Sequence, residues 1–211
     1  MHIFYRGTND GIFWLRCDFN QSDAMTRWEK SQHTNRTTPM GLSLLQNEHG
    51  LVLLACLPHS HYPLINCALK ASYIGWLPFL PFNDGADIPH TDPSLFMWEN
   101  RLYYAIYKSD NTLDFFRYQP SEYPQSKGYL RPTFEHFRTV DFDFAPSISV
   151  ASRNNFIWIA YQKRDGSVWV TRFTRRFQRA DLPTNITALP RSDPIVYCFK
   201  DRVYLAYSRR D

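Results

Sequence analysis

No stretch of this sequence approaches the roughly 18 consecutive apolar residues that a membrane helix needs, which argues against a helical membrane partner. The first residues, Met1 to Gly11, meet a charge and a turn almost at once. They carry no apolar core of a secretory leader, and the expected location is cytoplasmic. Like charges never gather into a long block. The 24 Lys+Arg against 20 Asp+Glu leave a net charge of +4, with no arm that reads as a nucleic-acid partner. The densest basic cluster, Arg172, Arg175, Arg176 and Arg179, reads as a solvated strand end, with a phosphate-binding patch as the alternative. The 3.6-residue period of a long amphipathic helix is absent, and so is any low-complexity linker. Cysteine is scarce: Cys17, Cys56, Cys67 and Cys198 show no metal-ligand spacing. Cys56 and Cys67 could face each other across a hairpin centred near Ser60 and His61. Two thiols suit a cytosolic protein, and a cross-strand disulfide is the alternative. No nucleophile elbow, phosphate loop or HExxH motif occurs, and no cofactor is implied.

What the chain has in quantity is aromatic residues. They make up 17% of 211 residues, with Tyr 13, Phe 16 and Trp 6, and they favour strands. The stretch from Pro146 to Phe173 shows the pattern most clearly. Three β-rich runs are separated by polar steps at Arg153-Asn154 and at Asp165-Gly166, the latter a strong hairpin signal.

The same pattern recurs at a period of roughly fifty residues, with a fourth, less regular strand between copies. The repeat units run over about 1–38, 39–92, 93–145, 146–193 and 194–211. The turn Asn9-Asp10-Gly11 stands where Asp165-Gly166 stands. Prolines open four copies: Pro39, Pro93, Pro146 and Pro194. Proline is tolerated at the first residue of a strand, where no ladder hydrogen bond is lost. A small residue recurs in the second strand at Ala55, Ala105, Ala160 and Ala206, which implies close sheet-to-sheet packing. Arg16, Arg117 and Arg172 form a third column, read either as inter-sheet ion pairs or as ligand contacts. Four short strands per fifty residues predict an all-β fold, a small β-propeller forming a single domain. The first unit lacks its opening strand and the last has only the opening two, so the two ends are expected to close one blade. Four blades suit the strand count; five is the alternative.

Arg101-Leu102-Tyr103 and Arg202-Val203-Tyr204, together with the Asn/Asp-Gly turn before a third strand, resemble the blades of lectin-type β-propellers. That family includes the fungal fucose-binding lectins and their bacterial relatives. The resemblance implies a carbohydrate-binding protein with a glycan partner. The family's third-strand glutamate has no counterpart, since Trp14, Asn66, Phe115 and Val170 stand at the aligned places. Lectin-like propellers also serve as cyclases, including hetero-Diels–Alder catalysts, so the fold leaves open a small organic molecule as substrate. A protein-interaction scaffold is the third reading.

Propeller geometry puts the loops that open each unit on the same face as the turns between second and third strands. One such loop, from Asn83 to Asp92, holds Asp84, Asp87, His90 and Asp92. Oxygen and imidazole groups there suit ligand contact or general-base work, but the spacing matches no metal loop. The candidate ligand-binding residues are Asp84, Asp87, His90, Trp76, Arg16, Arg117 and Arg172. For an enzyme, the candidates are Asp87, His90, Tyr62 and Arg117. His59 and His61, and the loop Asp141 to Phe144, lie on the same face.

Overall fold

The computed structural model describes residues 2–18, 27–28, 30–37, 43–46, 52–56, 65–71, 75–76, 80–82, 91–108, 110–119, 133–142, 145, 147–186, 190, 192–199 and 201–208. Every regular element among them is a β-strand, and none is a helix. The chain divides into two compact units, Met1–Pro81 and Phe82–Asp211.

In the first unit, β1 (His2–Arg6), β2 (Gly11–Asp18), β3 (Arg27–Trp28) and β4 (Gln32–Thr37) form one antiparallel sheet, with β4 also pairing β2. A second sheet holds β5 (Ser43–Gln46), β6 (Val52–Cys56), β7 (Ile65–Ala71), β8 (Gly75–Trp76) and β9 (Leu80–Phe82). Its register pairs Ala55 with Cys67 and Cys56 with Asn66. Cys56 and Cys67 are therefore not opposite one another, contrary to the expected pairing across a hairpin.

The second unit contains two four-stranded meanders and a hairpin. The first comprises β10 (Ser94–Trp98), β11 (Arg101–Tyr107), β12 (Thr112–Gln119) and β13 (Thr133–Asp141), hydrogen-bonded in chain order. The next repeats it with β14 (Ser147–Arg153), β15 (Phe156–Gln162), β16 (Val168–Phe173) and β17 (Thr184–Asn185). The last is a two-stranded sheet of β18 (Ile195–Phe199) and β19 (Arg202–Ala206). Pro93, Pro146 and Pro194 immediately precede β10, β14 and β18, as the opening-proline column predicts.

The turns between second and third strands share one construction. Asp110 Oδ1 accepts hydrogen bonds from the Thr112 amide at 3.1 Å and hydroxyl at 2.5 Å. Asp165 Oδ1 does the same for the Ser167 amide at 2.9 Å and hydroxyl at 2.5 Å. In the first unit, Asn9 Oδ1 accepts from the Gly11 amide at 3.1 Å. The following residue is left-handed each time: Asp10 at φ 59, Asn111 at φ 63, Gly166 at φ 83. Asp10, not Gly11, thus holds the place of Gly166. Asn and Asp tolerate that conformation because their short polar side chains bond locally.

Stacking in the second unit follows from the alanine column. Ala105 pairs across with Ser94, and Ala160 with Ser149, so two small side chains lie side by side. Both alanines are fully buried. The gap admits the edge strand of the next sheet, whose outward amides need acceptors. Ser94 Oγ accepts from Val150 N at 2.8 Å, and Ser149 Oγ accepts from Val196 N at 3.0 Å. Each serine therefore locks the sheet that follows it. Between the two meanders lies an aromatic core with Phe96, Trp98, Tyr103, Phe115, Tyr161 and Phe173.

One core residue comes from a loop. Phe177 follows β16 with φ 57, a conformation costly for a bulky residue, yet only 6% of its surface is exposed. Its ring lies 5.1 Å from Trp98, 4.8 Å from Phe115 and 5.3 Å from Phe137. Burial against three aromatic rings offsets the backbone strain.

Candidate functional site

Two tight turns lie side by side in the second unit and frame a cleft of 530 Å³. Glu99 and Asn100 join β10 to β11 with φ 48 and 59; Asn154 and Asn155 join β14 to β15 with φ 47 and 67. Two central residues at positive φ match the twist of the flanking strands, and Asn suits both positions. Glu99 is the exception. A carboxylate side chain in the left-handed region costs about 1 kcal/mol, and such strain concentrates at functional sites.

Trp98, Glu99 and Asn100 line one side of the cleft, Ser152 to Asn155 the other, and Arg175 completes it. Arg175 bridges the two turns. Its Nε lies 2.8 Å from Glu99 Oε1 and donates to Asn155 Oδ1 at 3.0 Å, while Nη2 donates to the same Asn155 oxygen. Two residues further on, Phe177 anchors the loop that carries Arg175. Arg153 Nη2 pairs with Asp201 Oδ1 at 2.8 Å; the arginine side chain is 16% exposed and the aspartate 98%. That pair ties the β14–β15 turn to the β18–β19 turn. Trp98 is buried, and its Nε1 finds no acceptor among the described residues. Such a site can hold a polar ligand by hydrogen bonds and charge. Among the described residues that line it there is no open aromatic face, because Trp98 is buried and meets the Phe177 ring near a right angle.

Two members of the arginine column, Arg117 and Arg172, are engaged locally. Arg117 donates through Nε at 3.1 Å, and through Nη2, to Glu135 Oε1. Its guanidinium lies 4.8 Å from the Phe137 ring centre. The hydrogen bonds from Arg117 and Gln119 hold the Glu135 carboxyl below its ordinary range. Arg172 pairs with Asp181 and lies 4.5 Å from Phe156 and 5.4 Å from Trp158. That contact lowers the Asp181 carboxyl in the same way. Arg117 pairs with a strand of its own sheet, and Arg172 with a segment only nine residues on. The expected inter-sheet ion pair is local in both cases.

Arg16 and Trp76 occupy β2 and β8, in register with His2 and Lys70. Tyr62, Asp84, Asp87 and His90 lie outside the described residues, as do His59 and His61. The face expected to carry the site is represented by Thr91, whose Oγ accepts from Tyr107 N at 3.2 Å, and by Phe142, buried 4.9 Å from Tyr161. It also holds Asp114, which the sequence did not single out. Its side chain is 1% exposed, 2.6 Å from Lys108 Nζ, and accepts a 2.6 Å hydrogen bond from Thr139. Among the described residues, no group of three or more His, Cys, Asp or Glu is placed to hold a metal.

The cleft instead lies at the opposite end of the strands, at the turns between first and second strands. Sequence reasoning passed over Glu99, read Arg153 only as a polar step between strands, and placed Arg175 in a basic cluster at a strand end. The available signal was the Glu99-Asn100 dipeptide, a poor left-handed pair where Asn-Asn stands in the next copy.

No protein-family model matches the sequence, and no curated protein does. Solved structures do. AofleA from Arthrobotrys oligospora matches 99% of this chain with a TM-score of 0.67 at 10% identity, over 62% of its own length. A protein of unknown function from Dyadobacter fermentans matches 98%, with a TM-score of 0.62 at 11% identity, over 74% of its length. A lectin of Aleuria aurantia, in complex with alpha-methyl-L-fucoside, matches 97%, with a TM-score of 0.53 at 10% identity, over 70% of its length. The chain thus has the all-β fold of the propeller lectins. It spans less than two thirds of the length of AofleA.

Proposed function

We propose that this protein binds carbohydrate, and that the cleft between the Glu99-Asn100 and Asn154-Asn155 turns is where it does so. The observation that carries this reading is the strained Glu99, held against Arg175 on a rigid turn beside Arg153 and a buried indole N–H. Saccharides are recognised by planar groups that donate and accept hydrogen bonds in fixed directions, and a carboxylate–guanidinium pair supplies both. The likeness to the lectin crystallised with a fucoside supports the class of ligand. It does not carry the fucose itself, since the family's third-strand glutamate is replaced by Phe115 and Val170 in the described sheets.

The test is a broad glycan array followed by calorimetry on the strongest hits. Binding lost in Glu99→Ala and Arg175→Ala, and kept in Arg172→Gln, is the expected result. Binding to no saccharide at all would sink the reading.

A further inference from the structure

We infer that the outward face of the β18–β19 hairpin is a self-association surface, covered by the same face of a second copy of this chain. The hairpin register places Ile195 opposite Ala206, Tyr197 opposite Tyr204 and Phe199 opposite Arg202. Alternation along each strand puts all six on one side. The inward side holds Val196, Cys198, Val203 and Leu205, packed with Ala151 and Ala160 of the preceding sheet. On the outward side, Ile195, Tyr197, Phe199 and Tyr204 are between 36% and 58% exposed.

The corresponding places in the first meander carry the same construction under cover. Phe96 pairs across with Tyr103 as Tyr197 does with Tyr204. The rings of the first pair lie 5.5 Å apart at 18°, those of the second 5.3 Å apart at 13°. Phe96 and Tyr103 are buried in one core with Ile148 and Val150 of the next sheet. In the hairpin the stacked pair is exposed. Tyrosine suits a face that is wet in the monomer and dry in a complex, because the ring body is apolar and the hydroxyl tip is not.

Two observations select the occupant. A further sheet of the same kind would bring an edge amide that needs an acceptor, as Val150 N uses Ser94 Oγ and Val196 N uses Ser149 Oγ. Ile195 stands in the serine's place opposite Ala206, and its side chain has no acceptor to give. Two apolar sheet faces packed against each other need no such bond. Beyond the hairpin, the exposed large apolar side chains among the described residues are Tyr5, in β1, and Leu182, in the loop before β17. Neither belongs to a face of matching size, and the same face on another copy does. An isologous contact of that kind closes at two chains. At about 200 Å² for a large side chain, the four exposures leave on the order of 400 Å² of this face open. A standard stable complex covers about 800 Å² on each partner, and weak, reversible ones cover less. The dimer is therefore expected to exchange with monomer at micromolar concentration.

The experiment is sedimentation equilibrium of the full chain over about 1 to 200 µM, the range in which such a contact dissociates. A single reversible monomer–dimer equilibrium is expected. Tyr197→Lys and Phe199→Lys put charge on the exposed face and leave the buried side untouched. Each should raise the dissociation constant at least tenfold. Leu182→Lys, which removes an exposed apolar side chain elsewhere, should leave it unchanged. The concentration series is read on the unaltered protein, so a variant that fails to fold leaves that result standing. A chain that stays monomeric across the whole range would overturn the inference, and so would a dimer indifferent to both hairpin variants. Species that keep growing past the dimer would also overturn it, since they mark a head-to-tail joint. A monomer whose Tyr197→Lys variant loses glycan binding would hand the face to the ligand instead.

Discussion

Replacing Phe177 gives the sharpest test of how the cleft is supported. The ring is 6% exposed and touches Trp98, Phe115 and Phe137. A buried phenylalanine removes about 150–250 Å² from water, worth roughly 4–6 kcal/mol at 25 cal/mol per Å². Phe→Ala changes in cores cost about 3–5 kcal/mol, and Phe177→Ala should fall in that range. For a chain of this size that is a fall in melting temperature of about 6–20 °C. The backbone adds a signature of its own. At φ 57 an alanine keeps the left-handed penalty and a glycine does not. Phe177→Gly should therefore be about 1 kcal/mol more stable than Phe177→Ala, the reverse of the usual order in regular structure. Urea denaturation of the three proteins measures both quantities. Hydrogen exchange should show the loss concentrated in β10–β12 and β14–β16. An alanine variant as stable as the glycine variant would refute the claim that strain is stored there. A total loss below about 1 kcal/mol would refute the burial argument.

Glu99→Asn should leave stability within about 0.5 kcal/mol, since relief of left-handed strain offsets a surface ion pair; glycan affinity should fall at least tenfold by calorimetry, and unchanged affinity would detach Glu99 from the site. Ser149→Ala strips the acceptor from Val196 N and should cost about 1–3 kcal/mol, read as faster amide exchange across β18–β19 while β10–β13 keeps its protection. Asp165 is held below the ordinary aspartate value of 3.8, first by the Ser167 hydroxyl and then by the Ser167 amide. A lowered folded-state value means that this stabilisation is complete above about pH 3.8 and is lost as pH falls through the folded-state value. Asp165→Asn should flatten that part of a melting-temperature profile between about pH 2 and 5; parallel profiles for the two proteins would sink the assignment.

The strand plan could be read from the residues because each blade repeats local signals: an opening proline, an aspartate-bearing turn, an alanine in the second strand. Those signals act within a hairpin, where turn chemistry and alternation fix the register. The serine partners of the alanine column escaped notice because a serine in a strand looks like any polar step. Its meaning depends on an amide roughly fifty residues away. The cleft was less legible for the same reason. Glu99, Arg153 and Arg175 belong to three separate turns, and only stacking of consecutive sheets brings them together. Two members of the arginine column, Arg117 and Arg172, make local ion pairs. A repeated charge need not be a repeated ligand contact, since any exposed strand end gains from a guanidinium laid over a neighbouring ring.

The serine-to-amide lock makes the β14–β17 meander a self-recognising part. It presents an acceptor to its successor and an amide to its predecessor, one residue apart in the same strand. A gene that copies such a segment copies both halves of the joint, so an array can lengthen without inventing a new interface. The series is interrupted at β18, where Ile195 pairs with Ala206 in the place that Ser94 and Ser149 occupy. Ile195 is 57% exposed and has no acceptor to offer. At Ile195 a packing strand meets hydrocarbon and lacks the serine acceptor that receives the amide at Ser94 and Ser149. One substitution, Ile195→Ser, would place a hydroxyl acceptor opposite Ala206, where Ser94 and Ser149 stand in the preceding sheets.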